Sequence, residues 1–179
     1  MVNAGFSSRM TIAMDLDRVE GLSADLERIA EDRDALGLMR SLVGLFKHRV
    51  PHYHWVGIYL LKNDELRLGP YAGKPSPHTC IPLSQGLCGA AARLGHSIIV
   101  GDVQGDDRYL ACSLETRSEI VVPILDGEQV LGEIDIDSDV PQAFNEHDQA
   151  LLERAASLIA GKLRLANSAE LFPQPELVP

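Results

Sequence analysis

Cys112 stands in the stretch YLACSLETRSEIVVPI, residues 109–124, among Ser, Glu, Thr and Arg and shortly before an apolar run preceded by a carboxylate, Glu119. A free cysteine is ordinarily a small buried hydrophobe, so a cysteine in a polar loop invites a chemical reading. The reactive form of cysteine is the thiolate, favoured by a nearby cation or a helix N-terminus and disfavoured by burial. Arg108 and Arg117 are cations close to Cys112 in sequence. Cys88, in LCGA, falls near the start of a short helical segment, where the helix dipole would lower its pKa. Its alternative role is that of a small residue packing the helix on a sheet. Cys80, in HTCIP, reads as a loop thiol between prolines.

A second group is acidic. In GEIDIDS, Glu133, Asp135 and Asp137 alternate with Ile134 and Ile136, so on a strand the carboxylates share one face and the isoleucines the other. Periodicity alone makes that a solvated outer face. Against it, Asp is a poor strand former and like charges on one face repel, a cost that a binding function would explain. Aromatic residues are sparse, yet Trp55, Tyr59 and Tyr71 all fall in one predicted hairpin. Trp55 and Tyr59 share a strand face, as core residues or as one wall of a cage for a cationic or thioether ligand.

These residues need elements to hold them. Val19, Leu22, Leu26 and Ile29 form a narrow helical stripe from Leu16 on, and Ala35, Leu38, Met39, Leu42, Val43 and Phe46 form the wider face of a core helix that ends before Pro51. The period then changes to two. Residues 54–61 and 65–73 flank Asn63-Asp64 as a hairpin, residues 74–86 with their three prolines read as a loop, and residues 87–95 as a short helix stopped by Gly95. A short strand over 97–100 precedes a loop over 101–117, and residues 118–137 read as a second hairpin about Asp126-Gly127. A last helix begins at Asn145 with Asp148 in the capping-box position. The order predicts an α+β layer fold with a mainly antiparallel sheet. Residues 1–15 are expected to be loosely ordered, 16–166 to form one domain, and 167–179 to be an extended tail.

Composition narrows the function. A net charge of -10 and a pI near 4.9, without a basic patch, argue against a nucleic-acid partner. The apolar runs are far shorter than the roughly 18 residues of a membrane span, and the N-terminus lacks the apolar segment of a signal peptide, which places the chain in the cytoplasm. Three cysteines at spacings C-x7-C and C-x23-C make neither a disulfide framework nor a zinc signature. No cofactor and no metal are expected.

Taken in order, WVGIYLL, LGPYAGKP, IPLSQGLCGAA, YLACS, RSEIVVPI, LGEIDIDS and FNEHDQALLE resemble the GAF-domain free methionine-(R)-sulfoxide reductases over roughly residues 36–163. The resemblance implies a GAF-like fold, with about six antiparallel strands, helices packed on the sheet, a small pocket over it, and a homodimer. It implies that Cys112 is attacked by the sulfoxide chemistry and becomes a sulfenic acid, and that Cys88 can form a disulfide with it. It further implies that Glu119, Asp135 and Asp137 hold the substrate ammonium and help protonate the departing oxygen, while Trp55 and Tyr59 line the place of the thioether methyl. Many members carry a recycling cysteine four positions before a proline that here is Pro82, and that position is His78. Cys80 stands two residues later, in a stretch that as a loop could swing, so a Cys80–Cys112 disulfide is expected with Cys88–Cys112 as the alternative.

The chemistry is consistent with the residues. A thiolate attacks the sulfoxide sulfur while a carboxyl group of raised pKa gives the oxygen a proton; a second thiol then closes a disulfide for a thioredoxin-like dithiol to reopen. The expected partner is thus a small-molecule substrate, free methionine sulfoxide. The rival expectation is a GAF ligand-binding or redox-sensing module without turnover; the complete carboxylate set and the lack of an attached effector segment favour the enzyme. A cyclic-nucleotide site fits an acidic pocket poorly, since phosphate would be repelled.

Overall fold

The computed structural model describes residues 14–111, 113–166 and 174–179. The expectation for residues 1–15 therefore falls almost wholly outside the described residues, as does that for 167–173 and for Cys112 itself.

Helices α1 (Leu16–Glu31) and α2 (Ala35–Arg49) begin where Asp15 and Asp34 accept hydrogen bonds from the backbone N–H of Arg18 and Gly37. These caps satisfy donors that the first turn leaves free. Strands β1 (Trp55–Lys62) and β2 (Glu65–Ala72) pair antiparallel, and Asn63 and Asp64 turn the chain between them with φ of 52° and 61°. Such left-handed pairs match the twist of a two-residue hairpin and suit Asn and Asp.

Residues 80–82 form a strand, not the loop expected from their prolines: β3 (Cys80–Pro82) pairs with residues 65–67 of β2. Proline is tolerated there because β3 lies at a sheet edge and Pro82 closes the strand. Helix α3 (Gly86–Leu94) ends at Gly95, whose φ of 67° lets its N–H reach the Ala91 carbonyl. Strand β4 (Ile98–Val100) and a 3-10 turn over Val103–Gly105 follow, then β5 (Ser118–Asp126) and β6 (Gln129–Ser138). Asp126 pairs with Gln129, so Gly127 and Glu128 form the turn, one residue beyond the Asp126-Gly127 expected. Helix α4 (Glu146–Leu165) carries the complete Asn145/Asp148 capping box.

The sheet order is β3-β2-β1-β6-β5-β4, six antiparallel strands, with the two-residue β7 (Glu176–Leu177) added in parallel to β2. One sheet face, bearing Val56, Ile58, Ile120, Val122, Ile134 and Ile136, packs on α2 and α4, with α1 laid against those helices, as the main core. The other bears Trp55, Tyr59, Leu66, Leu68 and Val121 and is covered by α3 through Leu87, Cys88, Ala90 and Ala91. The small residues of α3 let it approach this second face closely. A Cβ on Gly89 would lie 2.4 Å from the Leu83 carbonyl oxygen.

Candidate active site

Strand register builds the site. β6 lies between β1 and β5, with Asp137, Asp135 and Glu133 opposite Trp55, Gly57 and Tyr59 on one side and opposite Glu119, Val121 and Pro123 on the other. Directly opposed residues share a sheet face, so four carboxylates and two aromatic rings meet beneath α3. This is not a solvated face: Glu119, Glu133, Asp135 and Asp137 are 6%, 0%, 1% and 4% exposed. Alternation made the carboxylates one-sided, but the side that faces water is decided by the helix laid over them.

None of the ion pairs among the described residues involves these four carboxylates. Burial pushes Glu133 up to about 8 and Asp135 likewise, with the charge of Glu133 adding to the latter. Burial, and then the neighbouring aspartates, raise Glu119 and Asp137 well above the usual carboxylate range. The cluster is therefore a store of acidic protons near neutral pH that lacks a cation. Oδ1 of Asp135 is buried with no hydrogen-bond partner, and both buried Glu133 oxygens have at most the Cys88 thiol as a weak donor. Orphaned atoms of this kind cost free energy unless a ligand or water satisfies them.

Cys88 closes the cluster from above, its thiol 3.6 Å from Asp135 Oδ2 and 4.0 Å from Glu119 Oε1. The lowered pKa expected from the helix dipole is not found. Burial, then the charges of Asp135, Glu133 and Glu119, push the Cys88 thiol well up, since a thiolate there would meet acids and no water. Cys88, Glu119 and Asp135 each offer a ligand atom, all within 4.8 Å of one another. Cys80, by contrast, is exposed on β3, where Ile81 turns inward. Its ladder to β2 replaces the swinging loop and removes the physical reason for preferring Cys80 as the partner of Cys112.

Trp55 and Tyr59 do share a face, with ring centroids 6.4 Å apart, and Tyr71 stacks on Trp55 at 6.1 Å. The indole N–H donates to the Lys74 carbonyl at 3.0 Å, and the Tyr59 hydroxyl to the His78 carbonyl at 2.9 Å. Two glycines seat the indole, a feature missed in the sequence although WVGIY and YAG display them. A Cβ on Gly57 would lie 2.1 Å from the ring, and one on Gly73, whose φ is 131°, would lie 2.7 Å from it.

Next to Trp55 and Asp137 opens a cavity of about 420 Å³, walled also by Lys74, Ser76, Ser113 and Thr116. Ser113, Glu115 and Thr116 line it, and the residues before position 112 are held by neighbouring contacts. Leu110 lies against Gly86 at the head of α3, the His78 ring nitrogen Nε2 is 3.2 Å from the Ala111 carbonyl, and Tyr109 donates to the Ser113 carbonyl at 3.2 Å. Lys74 and Glu115, both in the cavity wall, form an ion pair. His78 thus stands beside Ala111, although it is not a cysteine.

A buried carboxylate row facing aromatic rings under a short helix, on a six-stranded antiparallel sheet, defines a GAF-type ligand chamber, and the GAF domain pattern matches residues 29–163. The chain belongs to the GAF-domain family, and within it to the group that includes the free methionine-R-sulfoxide reductases. It is 31% identical over 156 residues to the Escherichia coli free methionine-R-sulfoxide reductase, covering 83% of this chain and 93% of that protein. The Thermoplasma acidophilum type II free methionine-R-sulfoxide reductase superposes with a TM-score of 0.71 at 36% identity, over 78% of this chain and 96% of that one. The Neisseria meningitidis reductase in complex with its substrate superposes with a TM-score of 0.80 at 29% identity, over 87% of this chain and 95% of that one.

Proposed function

We propose that this protein reduces free methionine (R)-sulfoxide to methionine. The observation that carries the reading is the row of buried, cation-less carboxylates beside the Trp55–Tyr59 pair. A free amino acid brings an ammonium to the acids and a methyl sulfoxide to the rings, so one small ligand answers both halves of the chamber. The named relatives support the same substrate. Asp135, Asp137 and Glu119 hold the ammonium, and one of these carboxyls, protonated at neutral pH, gives its proton to the sulfoxide oxygen.

In that reading the Cys112 thiolate attacks the sulfoxide sulfur, methionine leaves, and oxygen remains on Cys112 as a sulfenic acid. A second thiol displaces that oxygen as water and forms a disulfide, and an external dithiol of the thioredoxin kind reduces it. Two thiol hydrogens and one oxygen leave as water, so the exchange balances. Cys88 serves as the second thiol because it already stands over the carboxylates that receive the substrate, and Cys80 is the alternative. A homodimer and a cytoplasmic location, where thiols are kept reduced, complete the proposal. No described helix is long and apolar enough to cross a membrane.

The test is a single-turnover reaction without reductant. Reduced protein given an equivalent of the (R)-sulfoxide should release about one methionine, and peptide mapping should find a Cys88–Cys112 link. Cys112→Ser should release none while keeping its circular dichroism spectrum, and Cys80→Ser should behave as wild type. Undiminished release by Cys112→Ser would remove the nucleophile assignment, and a mapped Cys80 link would reverse the choice of second thiol.

A further inference from the structure

The chamber that receives an ammonium is also built like a site for a soft metal cation. Cys88 Sγ, a Glu119 oxygen and an Asp135 oxygen lie within 4.8 Å of one another on three different elements, α3, β5 and β6. Zinc bonds of about 2.3 Å to sulfur and 2.0 to 2.2 Å to oxygen, at tetrahedral angles, separate S and O by about 3.5 to 3.7 Å. The sulfur lies 3.6 Å from Asp135 Oδ2 and 4.0 Å from Glu119 Oε1, near the separations of a zinc site, and the two carboxylate oxygens, within 4.8 Å of each other, would draw together by up to roughly 1 to 1.5 Å to close the set.

A second observation points independently to a ligand. The other Asp135 oxygen, Oδ1, is fully buried without a hydrogen-bond partner, and the buried Glu133 oxygens have only the weak Cys88 thiol donor near them. Among the described residues no Lys, Arg or His forms an ion pair with any of these carboxylates. A cluster held together without a cation is one that a cation would stabilise. The sulfur selects its kind: calcium and magnesium take six or more oxygens, whereas a thiolate with two carboxylates suits zinc or cadmium. The way in begins at the cavity whose wall includes Asp137, the next carboxylate of the row.

We propose that the reduced protein binds one zinc-class divalent cation on Cys88, Glu119 and Asp135, with water completing the coordination. No electron moves in this step. The cation takes the sulfur and oxygen lone pairs, and the thiol proton and carboxyl protons pass to solvent. Glu133, two residues along the same face, is a further oxygen donor beside the set. Resting on the reductase reading, one consequence follows: the cation takes the place of the substrate ammonium and occupies the second thiol, so it is an inhibitor and not a cofactor.

Cadmium titration of the reduced full chain tests the site without using turnover, through the ultraviolet thiolate-to-metal absorption band. Wild type should give a band saturating at one equivalent, unchanged in Cys80→Ser and lost in Cys88→Ser. Glu119→Gln keeps the thiol and the side-chain shape, and should keep the band while weakening the affinity at least roughly tenfold. No band in wild type, a band surviving Cys88→Ser, or a Glu119→Gln affinity equal to wild type overturns the site. Turnover is measured separately in chelator-treated protein, so a failed reductase assignment is not mistaken for a failed metal site. With turnover established, added zinc should abolish it and chelator restore it; zinc-insensitive turnover overturns the inhibitory role.

Discussion

Glu133 is a fully buried carboxyl group in no ion pair among the described residues, and its proton is therefore coupled to folding. Its pKa is pushed from 4.5 in the open chain to about 8 by burial. Between those values the unfolded chain has released the proton and the folded chain still holds it, so the stability this group contributes is fully present below about pH 4.5 and is lost as pH rises towards 8. The slope reaches about 1.4 kcal/mol per pH unit for one such group. Asp135, raised in the same way, adds to it. Urea midpoints should thus drop from pH 5 to pH 8, and Glu133→Gln should flatten the profile and raise stability at the alkaline end; equal slopes in the two proteins would show that Glu133 titrates normally. Asp135→Asn and Glu119→Gln are expected to lower kcat/KM at least tenfold through lost ammonium binding and proton supply, roughly the scale of one general acid. Unchanged kinetics in both would remove the carboxylates from the reaction.

At the scale of elements, β1 sets the geometry by what it omits. Gly57 leaves the room in which the Trp55 ring lies, and it faces Asp135 across the ladder. Gly57→Ala must move the indole, because a Cβ would stand 2.1 Å from it. Since Trp55 is the single tryptophan, its fluorescence reports the move directly. The variant should shift the emission maximum and raise KM more than it lowers kcat; an unshifted spectrum with wild-type KM would show that the seat is slack. Helix boundaries and both hairpins were readable from caps, glycines and alternation, since these depend on local sequence. β3 was not, because a three-residue edge strand between prolines owes its existence to β2. The burial of Asp135 was equally hidden, as a period of two says which residues share a face but not what covers it. The Cys88 pKa failed for the same reason: the helix dipole is local, whereas the carboxylates beneath it arrive from β5 and β6.

The whole molecule divides its labour between the two sides of one sheet. The isoleucine side with α1, α2 and α4 holds the main core, which leaves the α3 side free to bury charges that no stable core would choose. That separation explains how a cluster costly to folding is tolerated. The sequence motifs marked Glu119, Asp135, Asp137, Trp55 and Tyr59 for one site, and the fold brings these five together with Cys88; Cys80 stays outside on the edge strand. The most direct test is steady-state turnover of the purified, chelator-treated protein with thioredoxin, thioredoxin reductase and NADPH, on each diastereomer of free methionine sulfoxide in turn. NADPH oxidation with the (R) form and none with the (S) form is the predicted result. No turnover with either form, in the presence of demonstrably active coupling enzymes, would contradict the account and leave a ligand-binding GAF module.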